Sequence, residues 1–231
     1  MSLRISGWRG IVKWGIIALF GILFLIFFIR VVTFENAYFE EKHGSERATV
    51  TQDVSKEESG PQLVEEAPTE EEVYEYTVAA DRPRYLTVER LGVNNARILS
   101  MGINEDGELD TPYNIFDVGW YESSGKPGEG KTLLIDGHNG GPHVHGVFKE
   151  LPILEVGDLI RVERGDGAVF TYSVVENIEV PLSESDAYMT TALKSPEKGK
   201  ESLTLISCTG EWSQMQNTYL SRQFVRAVLV K

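Results

Sequence analysis

Leu203-Thr204-Leu205-Ile206-Ser207-Cys208-Thr209-Gly210 is a β-branched and leucine run that stops at a small-residue turn. Side chains of this kind suit a pleated, half-buried surface, so the run predicts a strand. Thr209-Gly210 predicts the exit into a loop, with Cys208 at the junction. Cys208 is the only cysteine of the 231 residues. A lone thiol has no partner within its own chain and is therefore idle, intermolecular or reactive. The bland alternative is a small buried hydrophobe. A strand end gives the exposure a nucleophile needs.

Further strand-like runs surround it, separated by turn residues. They are expected near Tyr85–Leu91, Ala96–Met101, Thr132–Asp136, Leu159–Arg164, Val169–Val180 and Phe224–Val230. Asp106-Gly107, Gly165-Asp166-Gly167 and Gly140-Gly141-Pro142 are turn signals. Helical pieces are expected at Gly146–Leu151 and at Asp186–Leu193, the second after a capping stretch at Ser183 to Asp186. Many short strands with little helix predict a mainly β domain, a barrel or a sandwich, over residues 79–231. That length is enough for one domain with its own core.

Upstream the composition changes twice. Residues 33–78 are acidic and poor in apolar periodicity; residues 35–78 alone carry a net charge of −10 out of −13 for the whole chain. Such a stretch buries too little apolar surface to offset the entropy of ordering, which predicts a flexible stalk. A solvated helix near Glu65 to Tyr76 is the alternative. Trp14 to Val32 reads WGIIALFGILFLIFFIRVV, with Arg30 as its only charge. About twenty apolar residues span a bilayer. Arg4, Arg9 and Lys13 precede this run, whereas Glu35, Glu40 and Glu41 follow it. The basic flank marks the cytoplasmic side. The expected organisation is a cytoplasmic N-terminus (1–13), a transmembrane signal anchor (14–32), the stalk, and an extracellular domain. No basic patch lies outside the membrane flank, which argues against nucleic acid as a partner.

A nucleophilic thiol needs a base or cationic neighbour and a donor for the developing oxyanion. The chain has four histidines, of which His43 lies in the stalk. His138 follows Leu133-Leu134-Ile135-Asp136-Gly137, where a strand leaves for a glycine-rich loop, and is favoured over His143 and His145 within that loop. His138, His143, His145 and Asp136 could instead hold a metal. No second spaced ligand pair supports that, and no metal is expected. The third group comes from Ser221-Arg222-Gln223-Phe224-Val225-Arg226: an arginine stays charged and donates two hydrogen bonds at once. Arg222, at the strand start, is preferred, with Arg226 in reserve.

Three pieces in this order resemble a sortase: Ile135-Asp136-Gly137-His138, Thr204-Leu205-Ile206-Ser207-Cys208-Thr209 and Arg222-Gln223-Phe224-Val225-Arg226-Ala227. They are similar to that family's catalytic histidine, its TLxTC cysteine motif and its arginine before the last strand. Gly107 to Pro112 and Val118-Gly119-Trp120-Tyr121 resemble segments of the class D, E and F branches. Ser207 departs from the usual threonine but keeps a hydroxyl. Asp81-Arg82-Pro83 does not match the lid of the pilus-polymerising class, which favours attachment of single proteins.

The resemblance implies a closed eight-stranded β-barrel with short helices, beside the N-terminal transmembrane helix. It implies cysteine transpeptidation without a cofactor. Cys208 would attack the Thr–Gly carbonyl of an LPxTG-like sorting signal on a surface protein. His138 would serve as acid and base, and Arg222 would hold the oxyanion. The acceptor would be an amine of a cell-wall precursor. Two other readings stand beside it: an L,D-transpeptidase acting on peptidoglycan, and a non-catalytic membrane-tethered binding module.

Overall fold

The computed structural model of the protein describes residues 62–104 and 107–231. The expected cytoplasmic segment, the span 14–32 and most of the stalk lie outside the described residues. Among the described residues no helix is long and apolar enough to cross a membrane.

Eight strands close into a barrel: β1 (Pro83–Val88), β2 (Val93–Met101), β3 (Val118–Tyr121), β4 (Thr132–Gly137), β5 (Leu159–Arg164), β6 (Val169–Pro181), β7 (Ser202–Ser213) and β8 (Thr218–Leu229). Their order around the barrel is β1-β2-β3-β4-β7-β8-β6-β5, and β5 returns to β1. The pairs β2/β3 and β4/β7 are parallel, and the others are antiparallel. Closure leaves no unpaired edge.

The interior follows from alternation along the strands. Leu133 and Ile135 of β4, Leu203 and Leu205 of β7, and Val225 and Ala227 of β8 join Trp120, Phe148 and Tyr172 in one buried core. The intervening residues face outward: Asp136 on β4, Thr204, Ile206 and Cys208 on β7, Arg222, Phe224 and Arg226 on β8. Part of this outer face is covered by the β6–β7 connection, whose helix is α2 (Leu182–Ala192). Tyr188 and Met189 of the helix pack with Val180, Ile206 and Phe224. The Tyr188 and Phe224 rings lie 4.8 Å apart, and the buried Thr204 hydroxyl donates to the Ala192 carbonyl at 2.7 Å. Burying a side chain the size of Phe224 is worth roughly 2–3 kcal/mol of transfer free energy.

Several elements differ from the sequence expectation. β1 stops at Val88, and Glu89–Leu91 forms a 3₁₀ turn ended by Gly92 at φ +70°, a conformation open to glycine. β3 lacks alternation, since Val118, Gly119 and Trp120 are all buried. Residues 147–150 form turns rather than a helix, followed by a 3₁₀ turn at Leu151–Ile153. α2 starts at Leu182, with Pro181 before it and no side-chain cap; Ser185, expected to help cap the helix, instead donates to the Leu182 carbonyl.

Within the described end of the expected stalk, residues 62–78, the structure has the short exposed helix given as the alternative near Glu65 to Tyr76. Gln62 to Val78 are built against the domain. Thr69-Glu70-Glu71-Glu72 opens α1 (Glu70–Glu75) with a reciprocal capping box: Thr69 N–H donates to Glu72 Oε2 at 2.7 Å and Glu72 N–H to Thr69 Oγ1 at 3.2 Å. Tyr76 Oη donates to the Ile98 carbonyl at 2.5 Å, and Arg84 Nε to the Tyr76 carbonyl at 2.7 Å. Counting acids missed these anchors, because the Tyr76 hydroxyl, the Tyr85 hydroxyl on the Val73 carbonyl, and Arg84 dock the segment.

Candidate active site

The parallel pairing of β4 with β7 places Asp136 beside Ile206. His138 and Cys208 each lie two residues beyond this last pair. Two hydrogen bonds bracket these two residues. Ser207 Oγ donates to the Gly137 carbonyl at 2.8 Å, and Asn139 Nδ2 donates to the Cys208 carbonyl at 2.8 Å. Ser207 is therefore more than a hydroxyl kept from a motif: it ties β7 to the residue preceding His138. Asn139, 7% exposed, was not anticipated from sequence. An asparagine after a Gly-His pair reads as loop chemistry until the strand opposite is known.

Cys208 does not end its strand. β7 continues to Ser213 and pairs with β8 from Thr218, with a register shift between Thr209 and Trp212. Gly210, at φ +80°, supplies the left-handed residue of this bulge. Within the hairpin Cys208 faces Arg222 directly, and Arg226 faces Thr204. At about 3.3 Å per residue, Arg226 lies roughly 13 Å down the strand. It is engaged there, with Nη1 donating to Glu176 Oε2 at 2.5 Å and Nη2 to the Lys194 carbonyl at 2.9 Å.

The Arg222 guanidinium is held by its own hairpin. Nη1 donates to the Tyr219 and Ser221 carbonyls, each at 3.1 Å, and Nη2 to Thr218 Oγ1 at 3.4 Å. Among the described residues these bonds engage three of its five N–H groups. The planar fork is thus oriented with donors to spare.

His138 Nε2 lies 2.7 Å from the Pro112 carbonyl. A carbonyl only accepts, so Nε2 carries a proton, and Nδ1 is the nitrogen left for chemistry. His143 and His145 are exposed and are not brought to Cys208. His143 instead meets Glu65, with Nδ1 at 2.8 Å from Oε2. Among the described residues no group of three or more metal-type side chains assembles.

Burial pushes the Cys208 thiol above its ordinary pKa; the Arg222 charge opposes this, and Asp136 adds to it. Asp136 is the unusual group here. It is 4% exposed, and neither carboxyl oxygen has a hydrogen-bond partner. Other buried carboxylates in the barrel are satisfied. Glu201 accepts from Gly128 N–H, Gly130 N–H and Tyr172 Oη, and Asp117 takes both arms of Arg97. Asp136 fills the space above Gly119, where a methyl group would fall 2.3 Å from its Oδ1. Burial, with a further push from Asp110, raises its carboxyl well above the usual range.

This raised affinity has a signed consequence. Above roughly pH 4 the unfolded chain releases the proton that the folded chain keeps. Stability therefore falls as pH rises, by up to about 1.4 kcal/mol per pH unit, until the folded carboxyl also ionises. Asp136→Asn removes this titration. Thermal unfolding of the two proteins should show a Tm difference that shifts in favour of the variant between pH 4 and pH 7. A difference independent of pH would show that Asp136 ionises in place.

The Sortase domain family profile matches residues 86–230. No curated protein matches the chain. Solved structures similar to it include sortase C of Streptococcus pneumoniae, at 21% identity over 68% of this chain and 71% of that one, with a TM-score of 0.46. The Clostridium perfringens sortase D5 transpeptidase is 23% identical over 71% of this chain and 90% of that one, with a TM-score of 0.45. Sortase A of Corynebacterium diphtheriae is 23% identical over 66% and 63%, also with a TM-score of 0.45. The family profile runs from β1 to β8 and takes in His138, Cys208 and Arg222 along more than half of the chain; the protein belongs to the sortase family of cysteine transpeptidases.

Proposed function

We propose that this sortase cleaves an LPxTG-like sorting signal between Thr and Gly and joins the Thr carbonyl to an amine of a cell-wall precursor, with Cys208, His138 and Arg222 as the catalytic groups. The observation that supports the assignment is the register: Arg222 directly opposes Cys208 across β7/β8, and the last β4/β7 pair, Asp136↔Ile206, lies two residues before His138 and Cys208.

The thiolate of Cys208 adds to the Thr carbonyl, and the oxygen takes up the negative charge. The unused N–H groups of Arg222 stabilise that oxyanion. Collapse breaks the Thr–Gly bond as the His138 imidazolium gives its Nδ1 proton to the departing amine, leaving a thioester. The incoming amine then attacks the thioester, His138 takes its proton, and the thiolate leaves. Burial works against the thiolate, so the Arg222 charge and the imidazolium together hold it.

Residues 14–32 would anchor the enzyme as a single-pass protein, with the N-terminus cytoplasmic and the barrel facing the wall. Protease added to intact, wall-stripped cells reads this orientation by whether the barrel is removed. The mismatch of Asp81-Arg82-Pro83 with the lid of the pilus-polymerising class favours attachment of single proteins over pilus polymerisation.

The test is turnover of LPxTG-containing peptides by the full chain in detergent, with hydroxylamine as the acceptor amine. Release of the C-terminal half and a hydroxamate on Thr are expected. In the same assay Arg222→Lys keeps the charge but loses the fork, and kcat/KM should fall about a hundredfold, the scale of a lost oxyanion donor. Folded Arg226→Lys should stay within a few-fold. The reverse ranking would assign the oxyanion to Arg226.

A further inference from the structure

We propose that Glu65 is a positioning residue for the His138 imidazole, acting through the two loops that flank the ring. The inference rests on His138 being the acid and base of the reaction.

The first loop is the β2–β3 connection, whose Pro112 carbonyl accepts from His138 Nε2. The next residues are fastened to the N-terminal segment. Val64 N–H donates to the Tyr113 carbonyl at 2.8 Å, and Ile115 N–H donates to the Val64 carbonyl at 3.1 Å. Asn114 Nδ2 adds a bond to the Glu66 carbonyl at 3.0 Å. A short strand-like clip therefore grips the loop within a few residues of the carbonyl that orients the ring.

The second loop runs from Asn139 to Gly146, directly after His138. It closes through Gly141 N–H to the Val144 carbonyl at 2.9 Å and Gly146 N–H to the Asn139 carbonyl at 2.8 Å. Its tip amides point at Glu65. His143 N–H and Val144 N–H donate to Oε1 at 2.8 and 3.2 Å, and the His143 ring meets Oε2 at 2.8 Å. These donors, the His143 backbone amide foremost, hold the Glu65 carboxyl below its usual range, so it is ionised at neutral pH. Gly141 has no side chain where the carboxylate packs: a methyl group there would fall 2.2 Å from Oε1.

Glu65 is thus a clasp between the clipped loop and the free tip of a glycine-rich one. A tip with two adjacent glycines has much backbone entropy to lose on ordering. Two amides fixed on one oxygen restrain it. The loop root is His138 itself, whose carbonyl accepts from Phe148 N–H at 3.0 Å. Loss of the clasp therefore frees the backbone on one side of the ring and loosens the Pro112 side through the shared strap. Cys208 is held in the β7/β8 ladder opposite Arg222, and only the root of the loop reaches it, through Asn139 Nδ2 on its carbonyl.

The experiment compares Glu65→Ala, Glu65→Gln and His143→Ala in the full chain, assayed on an LPxTG peptide with hydroxylamine. Glutamine keeps one oxygen able to accept both amides, and His143→Ala keeps the backbone donors, so both should stay within about threefold of wild type. Glu65→Ala should lower kcat by about tenfold to a hundredfold, the scale of a 1 Å misplacement of a reacting group. Its KM and the methanethiosulfonate labelling rate of Cys208 should be unchanged. The His138 Nε2 proton resonance should persist in Glu65→Gln and His143→Ala and be lost to exchange in Glu65→Ala. Gly141→Ala crowds the same carboxylate from the other side and should reproduce the kcat loss, which covers the case that Glu65→Ala fails to fold. Wild-type kcat in Glu65→Ala or Gly141→Ala, with the Nε2 resonance intact, overturns the inference. An active Cys208→Ala variant overturns the underlying mechanism instead.

Discussion

Cys208→Ala should abolish transpeptidation and leave the barrel intact. Cys208 is partly buried on the outer face and is not part of the buried core. Removing one sulfur from such a site costs on the order of 1 kcal/mol, well inside the usual margin of a domain. The hydrogen bonds that place it use the main chain: its carbonyl accepts from Asn139, and Ser207 holds Gly137. Neither depends on Sγ, so circular dichroism and Tm should be close to wild type while the thioester cannot form. Because the chain has one cysteine, a methanethiosulfonate reagent should add one mass increment, stop turnover, and add none to the variant. Burial raises the thiol pKa, so labelling should accelerate as pH rises through and above neutrality. Turnover near the wild-type rate in Cys208→Ala would place the chemistry elsewhere.

His138→Ala should lose several orders of magnitude in kcat/KM, since removing one member of a cooperating set costs nearly as much as removing the set. The ring is pinned at Nε2 by the Pro112 carbonyl, which leaves Nδ1 for the proposed proton transfer. In the proposed mechanism alanine removes the proton carrier. His143→Ala and His145→Ala should stay within a few-fold, for His143 meets Glu65 and His145 is exposed. The measurement is kcat/KM of the three variants on one sorting peptide, with unfolding curves to confirm that each is folded. Comparable losses in all three, together with inactivation by a chelator, would replace this mechanism with a metal centre.

Cys208, His138 and Arg222 were legible because each sits beside a change of local pattern. Leu203 to Cys208 and Leu133 to Asp136 are strongly apolar runs bounded by turn residues, and such periodicity is written over a few neighbouring positions. β3 was not legible from its pattern, since Val118, Gly119 and Trp120 are buried without alternation. β7 runs past the expected end at Cys208, because Thr209-Gly210 reads by residue type alone as a loop exit. In the barrel its positive φ serves a bulge, and the hairpin runs on.

The sequence alone determined the mainly β class, the placement of a thiol and a guanidinium on strands and of an imidazole just after one, and the acidic character of the segment before the domain. These rest on side-chain type and on spacing between near neighbours. Only the tertiary structure decided that β4 and β7 pair in parallel in the register Asp136↔Ile206, that Arg222 rather than Arg226 opposes Cys208, and that Asp136 is buried without a partner. It also decided that Glu65, from a segment expected to be free, closes the loop behind His138. Those facts join residues as near as 14 positions apart, Cys208 and Arg222, and as far as 79, Glu65 and Val144. Their energies depend on which surfaces meet once the barrel closes, and no local pattern carries that information.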